Sequence, residues 1–353
     1  MSFELLKQEV ERGMSGKNSG VPMGFSRLNK YVGIRKRIMT IVAGASGSGK
    51  SAFIHSSYIL NPFEYLLKTN RTDVKLKVIF FSMERSRVYI LAKWMSRKIF
   101  ITEKVLIPIP KLLGWWDNSK LTPDEYDLFL KYEDYMEKLL SVVDIIDGPQ
   151  NPTGIYAYVK EYAKQNGRFN EENEYHKTYI PTHPNEIVIV IIDHMGLIKT
   201  EKGYVTKKEA IDKTSEYCQW FRDNLGYSPV LVTQLNRNLN NPMYLKVDSV
   251  EPTIDDIKES GNPGEASDVV ISLFDPTRYN TSDKSYKADK FIDLKTGANY
   301  FRSVKVLKNS YGEDGIRVGM GFHGATGTFK ELPRKEDMEG FDFESVYNGT
   351  FFM

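Results

Sequence analysis

The sequence predicts an α/β fold with a mainly parallel central sheet, flanking helices and an antiparallel C-terminal extension. Two observations support this prediction. Up to about residue 268, short apolar runs typical of buried strands alternate with longer segments typical of helices, and such alternation gives parallel strands joined by right-handed crossovers. After Asp268 one strand pattern follows another until about Phe329, which indicates antiparallel pairing.

Hydrophobic periodicity and turn residues place the individual elements. The polar stretch 167–185 is expected to be an inserted surface loop. The chain divides into a helix and linker over residues 1–19, a main domain over 20–332 and an aromatic tail over 333–353. Strands are expected at 38–43, 78–82, 142–146, 187–192 and 230–233, and helices at 2–12, 87–99, 123–140, 152–165 and 208–224.

Composition excludes several classes of protein. The chain has 353 residues with 48 basic and 46 acidic side chains, so any nucleic-acid binding must come from local patches and not from the net charge of +2. Cys218 is the only cysteine, which excludes an internal disulfide and a cysteine-cluster zinc site and agrees with a reducing cytoplasm. The longest apolar run, 187–192, is too short to cross a bilayer, so no membrane partner is expected.

One motif with a defined chemistry follows the first predicted strand. It fits the pattern G-x-x-x-x-G-K-[ST], in which glycines let the backbone curl so that its N–H groups face phosphate oxygens. Lys50 would reach the terminal phosphates and Ser51 would ligate Mg²⁺. The motif therefore predicts a site for a nucleotide with Mg²⁺. Its members are Gly44, Ala45, Ser46, Gly47, Ser48, Gly49, Lys50 and Ser51.

Three further side chains stand directly after predicted strands. Asp193 follows six β-branched residues and is the candidate second ligand of the magnesium ion, although an aspartate there could also cap a turn. Glu84 is the candidate for activating water. Gln234 could sense the γ-phosphate. His194 is expected to pack and not to catalyse.

Ordered blocks of sequence resemble the DnaB-type replicative helicases, RecA-fold motors that form rings. The resemblance implies a RecA-like P-loop domain over residues 20–332 that binds ATP between adjacent subunits and moves along single-stranded DNA. Glu84 would be the catalytic base, and Lys50, Gln234 and Lys308 would complete the catalytic set. The blocks are 21–28, 81–84, 191–198, 233–237, 256–263 with 266–270, and 308–312 followed by Gly315.

The family's DNA-contacting loop matches Lys258, Glu259 and Gly261. Such a loop would hold the nucleic-acid backbone with little sequence preference. The same segment could also be an ordinary turn, because loops of this composition are common.

The sequence departs from the family at two places. The last motif ordinarily ends in an arginine that crosses into the neighbouring site, but Ser310 stands there and Lys308 cannot reproduce the bidentate fork. Arg302 or Arg317 could substitute as the trans finger, another protein could supply it, or hydrolysis could be slow. The family's N-terminal primase-docking domain has no counterpart here, so weaker or conditional hexamers are expected.

The expected partners are single-stranded DNA, identical subunits in a hexameric ring or filament, and a primase, loader or polymerase. One alternative is a RecA- or RadA-like recombination or loading ATPase that binds single strands without unwinding. Another is a regulator that keeps the fold but has lost turnover. The aromatic tail could hook a partner or pack across the domain.

Overall fold

A nine-stranded sheet forms the centre of the protein. The computed structural model describes residues 2–173, 176–235, 251–257, 262–279, 286, 291–292, 297–347 and 350–352. The strands are β1 (Thr40–Gly44), β2 (Lys75–Ser82), β3 (Val143–Asp147), β4 (Gly167–Asn173), β5 (His176–Pro181), β6 (Glu186–Asp193), β7 (Ser228–Gln234), β8 (Val269–Phe274), β9 (Phe301–Asn309), β10 (Arg317–His323) and β11 (Thr328–Glu331).

The strand order of the main sheet is β11-β10-β9-β8-β1-β7-β6-β2-β3. The six strands from β8 to β3 pair in parallel, whereas β8 to β11 pair antiparallel. The predicted fold class, a mainly parallel sheet with an antiparallel C-terminal extension, is therefore confirmed.

Helices cover both faces of the sheet. Trp94 and Phe53 pack with the side chains on one face, and Ile155 and Phe221 pack with those on the other. The helices are α1 (Ser2–Met14), α2 (Lys50–Ile54), α3 (Asn61–Thr69), α4 (Arg87–Glu103), α5 (Ile109–Leu112), α6 (Pro123–Lys131), α7 (Glu133–Val142), α8 (Pro152–Gln165), α9 (Lys207–Trp220), α10 (Asn262–Ala266) and α11 (Gly340–Tyr347). None of the helices in these ranges combines the length and apolar character needed to span a bilayer.

Strand β6 shows why the sheet is buried on both faces. All eight of its residues are buried. Ile189 and Ile191 belong to the core on one face, while Val188 and Val190 belong to the core on the other, because successive side chains of a strand point in opposite directions. A continuous apolar run is typical of a parallel strand covered by helices on both sides.

The expectation of a surface loop at 167–185 is wrong, because β4 and β5 pair there as an antiparallel hairpin. The segment is mostly polar, but two of its aromatic side chains pack on each other and on the domain. Phe169 and Tyr179 have ring centroids 5.3 Å apart, and the buried Tyr179 also packs edge-on against Tyr227 at 6.0 Å. These contacts fix the hairpin on the domain.

Two predicted helices have different boundaries in the structure. The expected helix 123–140 is divided into α6 and α7 at Tyr132, whose φ of −104° and ψ of 14° depart from helical values. The expected helix 208–224 is α9 followed by a wider π-type turn, Phe221–Leu225.

The described part of the aromatic tail packs across the domain. Met338, Val346 and Phe352 are buried, and the first two share a small core with Phe301 of β9. These contacts favour the packing alternative over a free partner hook for these residues.

A buried histidine lies beneath the phosphate loop. The ring of His55 contacts Phe80 and Trp94 edge-on at 5.2 and 5.6 Å, and neither ring nitrogen has a hydrogen-bond partner in the described ranges. Burial, together with the nearby charges of Lys93 and Arg97, lowers the pKa of His55 to about 3. The folded protein therefore holds this side chain neutral.

We expect His55 to make the free energy of unfolding decrease as the pH is lowered. The unfolded chain binds a proton near pH 6.5 and the folded chain does so only near pH 3, so the stabilisation is present above pH 6.5 and is lost as the pH falls below it. Between pH 7 and pH 5, the free energy of unfolding of the wild type should decrease by about 2 kcal/mol more than that of His55→Phe. Denaturant titrations at the two pH values measure the difference. The exposed His183→Gln is the control, and equal pH slopes for wild type and His55→Phe would contradict the prediction.

Candidate nucleotide-binding site

The register of the parallel strands brings four strand ends to one edge of the sheet. Gly44 at the end of β1 is paired with Gln234 at the end of β7, and Ser82 at the end of β2 is paired with Asp193 at the end of β6. The backbone N–H of Met83 also donates to the Asp193 carbonyl at 2.9 Å, which fixes the turn that carries Glu84. The carboxyl edge of a parallel sheet is where ligands bind in open α/β folds.

The motif 44–51 forms a tight loop that leads directly into α2. Gly47 and Gly49 have φ values of 75° and 98°, a conformation that favours glycine. A Cβ atom at Gly44 would lie 2.7 Å from both the Leu273 carbonyl oxygen and Ser48 Oγ. The backbone therefore curls as a phosphate-binding loop requires.

Lys50 and Asp193 are both buried in this loop region. Lys50 Nζ donates to the carbonyl oxygens of Gly44 and Ala45, both at 2.8 Å. The nearby Ser51 hydroxyl opposes the rise that burial causes in the pKa of Asp193, and both side chains line the same cavity. The two predicted magnesium ligands are thus neighbours.

Both buried charges lack full compensation. Burial lowers the pKa of Lys50 to about 8, although the Asp193 and Glu84 carboxylates act in the opposite direction. Burial raises the pKa of Asp193 to about 6, against the effects of Ser51 and Lys50. An anion near Lys50 and a cation near Asp193 would each stabilise the charged form.

A cavity of about 490 Å³ opens over these residues. Glu84 lies on its wall, where it is exposed and pairs with Arg85 at 3.4 Å. Gln234 and His194 also line the cavity. The structure therefore brings Lys50 and Asp193 together with the candidate base and the candidate sensor.

The residues present fit a nucleotide with a magnesium ion. The Ser48 hydroxyl is buried without a hydrogen-bond partner in the described ranges, and the loop has no room for a side chain at Gly44. Ser51 and Asp193 provide oxygen ligands, which Mg²⁺ prefers.

The predicted DNA-contacting residues Lys258, Glu259 and Gly261 lie outside the described residues. The chain that leads to them is described. Ile257 forms an isolated antiparallel bridge with Leu235, the residue that follows Gln234. The segment preceding the loop is therefore attached to the nucleotide edge of the sheet.

The three candidate trans fingers all have partners within their own chain. Lys308 Nζ donates to the carbonyl oxygens of Gly264 and Glu265 at 3.4 and 3.0 Å. Arg317 forms an ion pair with Glu251. These two side chains would have to release their partners to reach a neighbouring subunit.

Arg302 is buried against its own phosphate loop, which argues against its role as a trans finger. Its Nε donates to the Ser48 carbonyl at 2.8 Å, Nη2 lies 3.5 Å from Asp275 Oδ2, and the guanidinium lies 4.7 Å from the centre of the Phe322 ring. Sequence reasoning missed this link between Arg302, Asp275 and the loop. The two residues are 27 positions apart, and no motif marks them as partners.

A larger cleft, of about 680 Å³, lies between α1 and the opposite edge of the sheet. Arg12, Arg35 and Arg71 are among its basic lining residues. None of the predicted site residues lines it, so the candidate nucleotide site is the smaller cavity.

Comparison with known protein families gives a match to one domain. A family model described as the DnaB-like helicase C terminal domain matches residues 171–331. The matched range contains Asp193 and Gln234 and ends in β11.

Curated relatives extend the similarity over most of the chain. Replicative DNA helicase DnaB from one strain of Helicobacter pylori is 23% identical over 337 residues, which cover 93% of this chain and 60% of the relative. DnaB from a second strain is 23% identical over 330 residues, covering 91% and 59%. A probable replicative DNA helicase from Trieres chinensis is 22% identical over 282 residues, covering 78% and 51%. The chain thus spans about six tenths of the length of the Helicobacter relatives.

Two solved structures share the fold. One, an ATPase domain, has a TM-score of 0.67 and 17% identity, covering 94% of this chain and 98% of that one. The other, a DnaB-like replicative helicase determined for its interactions with primase, has a TM-score of 0.65 and 17% identity, covering 92% and 65%. At this identity, the structural likeness concerns the fold alone.

Proposed function

We propose that this chain, which matches the DnaB-like helicase C terminal domain model over residues 171–331 and is 23% identical to a DnaB helicase over most of its length, is an ATP-dependent motor that translocates on single-stranded DNA during replication. One observation supports the proposal above all. Lys50, Asp193 and Glu84 come from three separate strand ends and converge on one cavity.

Each side chain of the site has a proposed role. Lys50 leaves the carbonyl groups of its own loop and binds the terminal phosphates of ATP. Ser51 and Asp193 hold a magnesium ion, which when bound offsets negative charge on the phosphate oxygens. Glu84 releases Arg85, orients a water molecule and takes up its proton. Gln234 reports the γ-phosphate to the segment at Leu235 and Ile257.

Residues 258–261 are proposed to contact DNA through backbone N–H groups and Lys258. The bridge between Leu235 and Ile257 supports coupling of this loop to the nucleotide, because it joins the two segments directly. Such contacts to phosphate positions would give binding that weakens with salt and depends little on sequence.

Assembly into a ring or filament is proposed on the basis of α1 and the family. Phe3, Leu6, Val10 and Met14 follow the spacing of one helix face, and they remain 76%, 57%, 53% and 84% exposed. An apolar stripe on a helix is stabilised by burial, so we propose that α1, within the linker 1–19, packs on an adjacent subunit. Primase, a loader or a polymerase are proposed as further partners.

A forked DNA substrate tests the helicase proposal. We expect single-stranded DNA to stimulate ATP hydrolysis and the protein to displace one strand of a fork, but not of a blunt duplex. A protein that neither binds single strands nor hydrolyses ATP would refute it. The substrate with blunt ends is the matched control, because it differs only in the loading strand.

The structure also favours one specific alternative, a RecA-like ATPase that binds single strands without unwinding. Ser310 stands at the family's arginine position, and Arg302, the candidate substitute, is buried on its own loop. A slow ATPase suits a binding switch better than a motor. ATP-dependent binding of single strands without strand displacement would establish this alternative.

A further inference from the structure

We propose that Arg278 supplies a second cation to the phosphate groups of the nucleotide, in cis, from the same chain that carries the phosphate loop. The inference rests on the proposed binding of ATP. It assigns a role to a residue outside all the motifs described above. Three observations carry it: the position of Arg278, the contacts that hold it there, and its charge.

The position of Arg278 follows from the sheet. Strand β8 pairs in parallel with β1, and Leu273 is the partner of Gly44, so the chain after β8 emerges beside the phosphate loop. Arg278 lies on the short turn Pro276–Tyr279 that follows. A Cβ atom built on Gly47 would be 3.3 Å from Arg278 Nη1 and 3.6 Å from Nη2. The guanidinium therefore lies against the backbone of the loop.

The turn is attached to the loop through buried polar contacts. Asp275 Oδ1 accepts hydrogen bonds from Thr277 Oγ1 at 2.7 Å and from Asn299 Nδ2 at 2.8 Å. Asp275 Oδ2 pairs with Arg302, which in turn donates to Ser48 of the loop. Arg278 thus lies beside Gly47, and Arg302 donates to the adjacent Ser48. Arg302 is a positioning residue, because its guanidinium is engaged by protein groups.

Within the part of the chain that the structure describes, Arg278 has no acidic partner. Its side chain is exposed, and no carboxylate within the described ranges forms an ion pair with it. Asp275, the acid of the same turn, is occupied by Arg302. Arg278 and Lys50 are two cations beside the same loop, and a polyanion bound there would stabilise both of them. A triphosphate supplies that negative charge.

The assignment accounts for the missing arginine of the last motif. A finger supplied from a neighbour acts only in an assembly, whereas Arg278 lies beside the phosphate loop of its own subunit. A guanidinium from the same chain can offset phosphate charge without a neighbouring arginine.

Binding measurements with Arg278→Ala and Arg278→Lys test the proposal. We expect Arg278→Ala to weaken binding of a fluorescent ATP analogue on the order of ten- to a hundredfold, with Arg278→Lys in between because lysine makes a single contact. Inorganic tripolyphosphate should compete with the fluorescent analogue for the same site, and its affinity for Arg278→Ala should be lower than its affinity for the wild type by a similar factor. Arg35→Ala is the matched control, since this exposed arginine precedes β1 at the opposite edge of the sheet.

Three outcomes would overturn the assignment in distinguishable ways. Equal binding by wild type and Arg278→Ala refutes the inference alone. A loss seen with ATP but not with tripolyphosphate places Arg278 on the base or ribose instead. Restored hydrolysis on mixing Arg278→Ala with Lys50→Ala subunits shows action in trans. If the wild type binds no nucleotide, the proposed function itself fails.

Discussion

Replacement of Lys50 by alanine is expected to abolish ATP hydrolysis and to weaken ATP binding by at least about a hundredfold. The Lys50 ammonium is buried within the phosphate loop, 2.8 Å from the two carbonyl oxygens that it would exchange for phosphate oxygens when nucleotide binds. A charge-assisted hydrogen bond contributes about 1.5–3 kcal/mol, and one cation would make more than one such contact to the phosphates. Titration with a fluorescent ATP analogue measures the affinity, and phosphate release measures turnover.

Lys120→Ala is the matched control, because Lys120 is exposed and lies in a loop far along the chain from the site motifs. It removes the same charge and should leave both measurements unchanged. The fold of Lys50→Ala is expected to survive, since the cavity is open to water that can satisfy Gly44 and Ala45. ATP binding by Lys50→Ala within threefold of wild type would show that the loop does not bind the phosphates as proposed.

The sheet could be predicted from the sequence because its signal is local. Six consecutive β-branched residues in β6 and the apolar runs of β2 and β7 mark strands without knowledge of their neighbours. Strand order could not be read in this way. The insertion of β1 between β7 and β8 depends on pairings between residues that are about 190 or more positions apart.

The candidate site shows the same division. Asp193 ends β6, Glu84 lies two residues after β2, and Lys50 is reached from β1 through the phosphate loop. Local patterns therefore find all three residues, and the parallel register explains why they converge. The sequence did not identify Arg278 as a site residue, and it suggested the wrong role for Arg302. Nothing near either residue in sequence indicates that it lies beside the phosphate loop. Their positions are set by the pairing of β8 with β1 and by Asp275, which are tertiary contacts.

The hairpin β4–β5 illustrates how composition can mislead. Phe169 is the single apolar side chain in residues 167–173, and the polar majority favoured a loop. Phe169 packs on Tyr179, which in turn packs on Tyr227, and such aromatic contacts help to dock the hairpin because each ring buries a large area.

Glu84→Gln is expected to separate ATP binding from ATP hydrolysis. Glutamine keeps the length of the side chain and its place beside Arg85, but it cannot accept a proton from water. General-base catalysis typically contributes about 10²- to 10⁴-fold, so turnover should fall by that factor. Affinity for ATP should change by only a few-fold, because Glu84 lies on the cavity wall and outside the phosphate loop.

The comparison variant is Glu137→Gln, an exposed glutamate on α7 that makes the same chemical change away from the cavity. Single-turnover hydrolysis, together with binding at equilibrium, distinguishes lost chemistry from lost affinity. The motor and the binding-switch proposals both require Glu84→Gln to bind ATP and fail to hydrolyse it. Tight ATP binding with negligible turnover in both the wild type and Glu84→Gln would instead support a protein that retains the fold as a nucleotide-bound regulator, because Glu84 would then have no catalytic part.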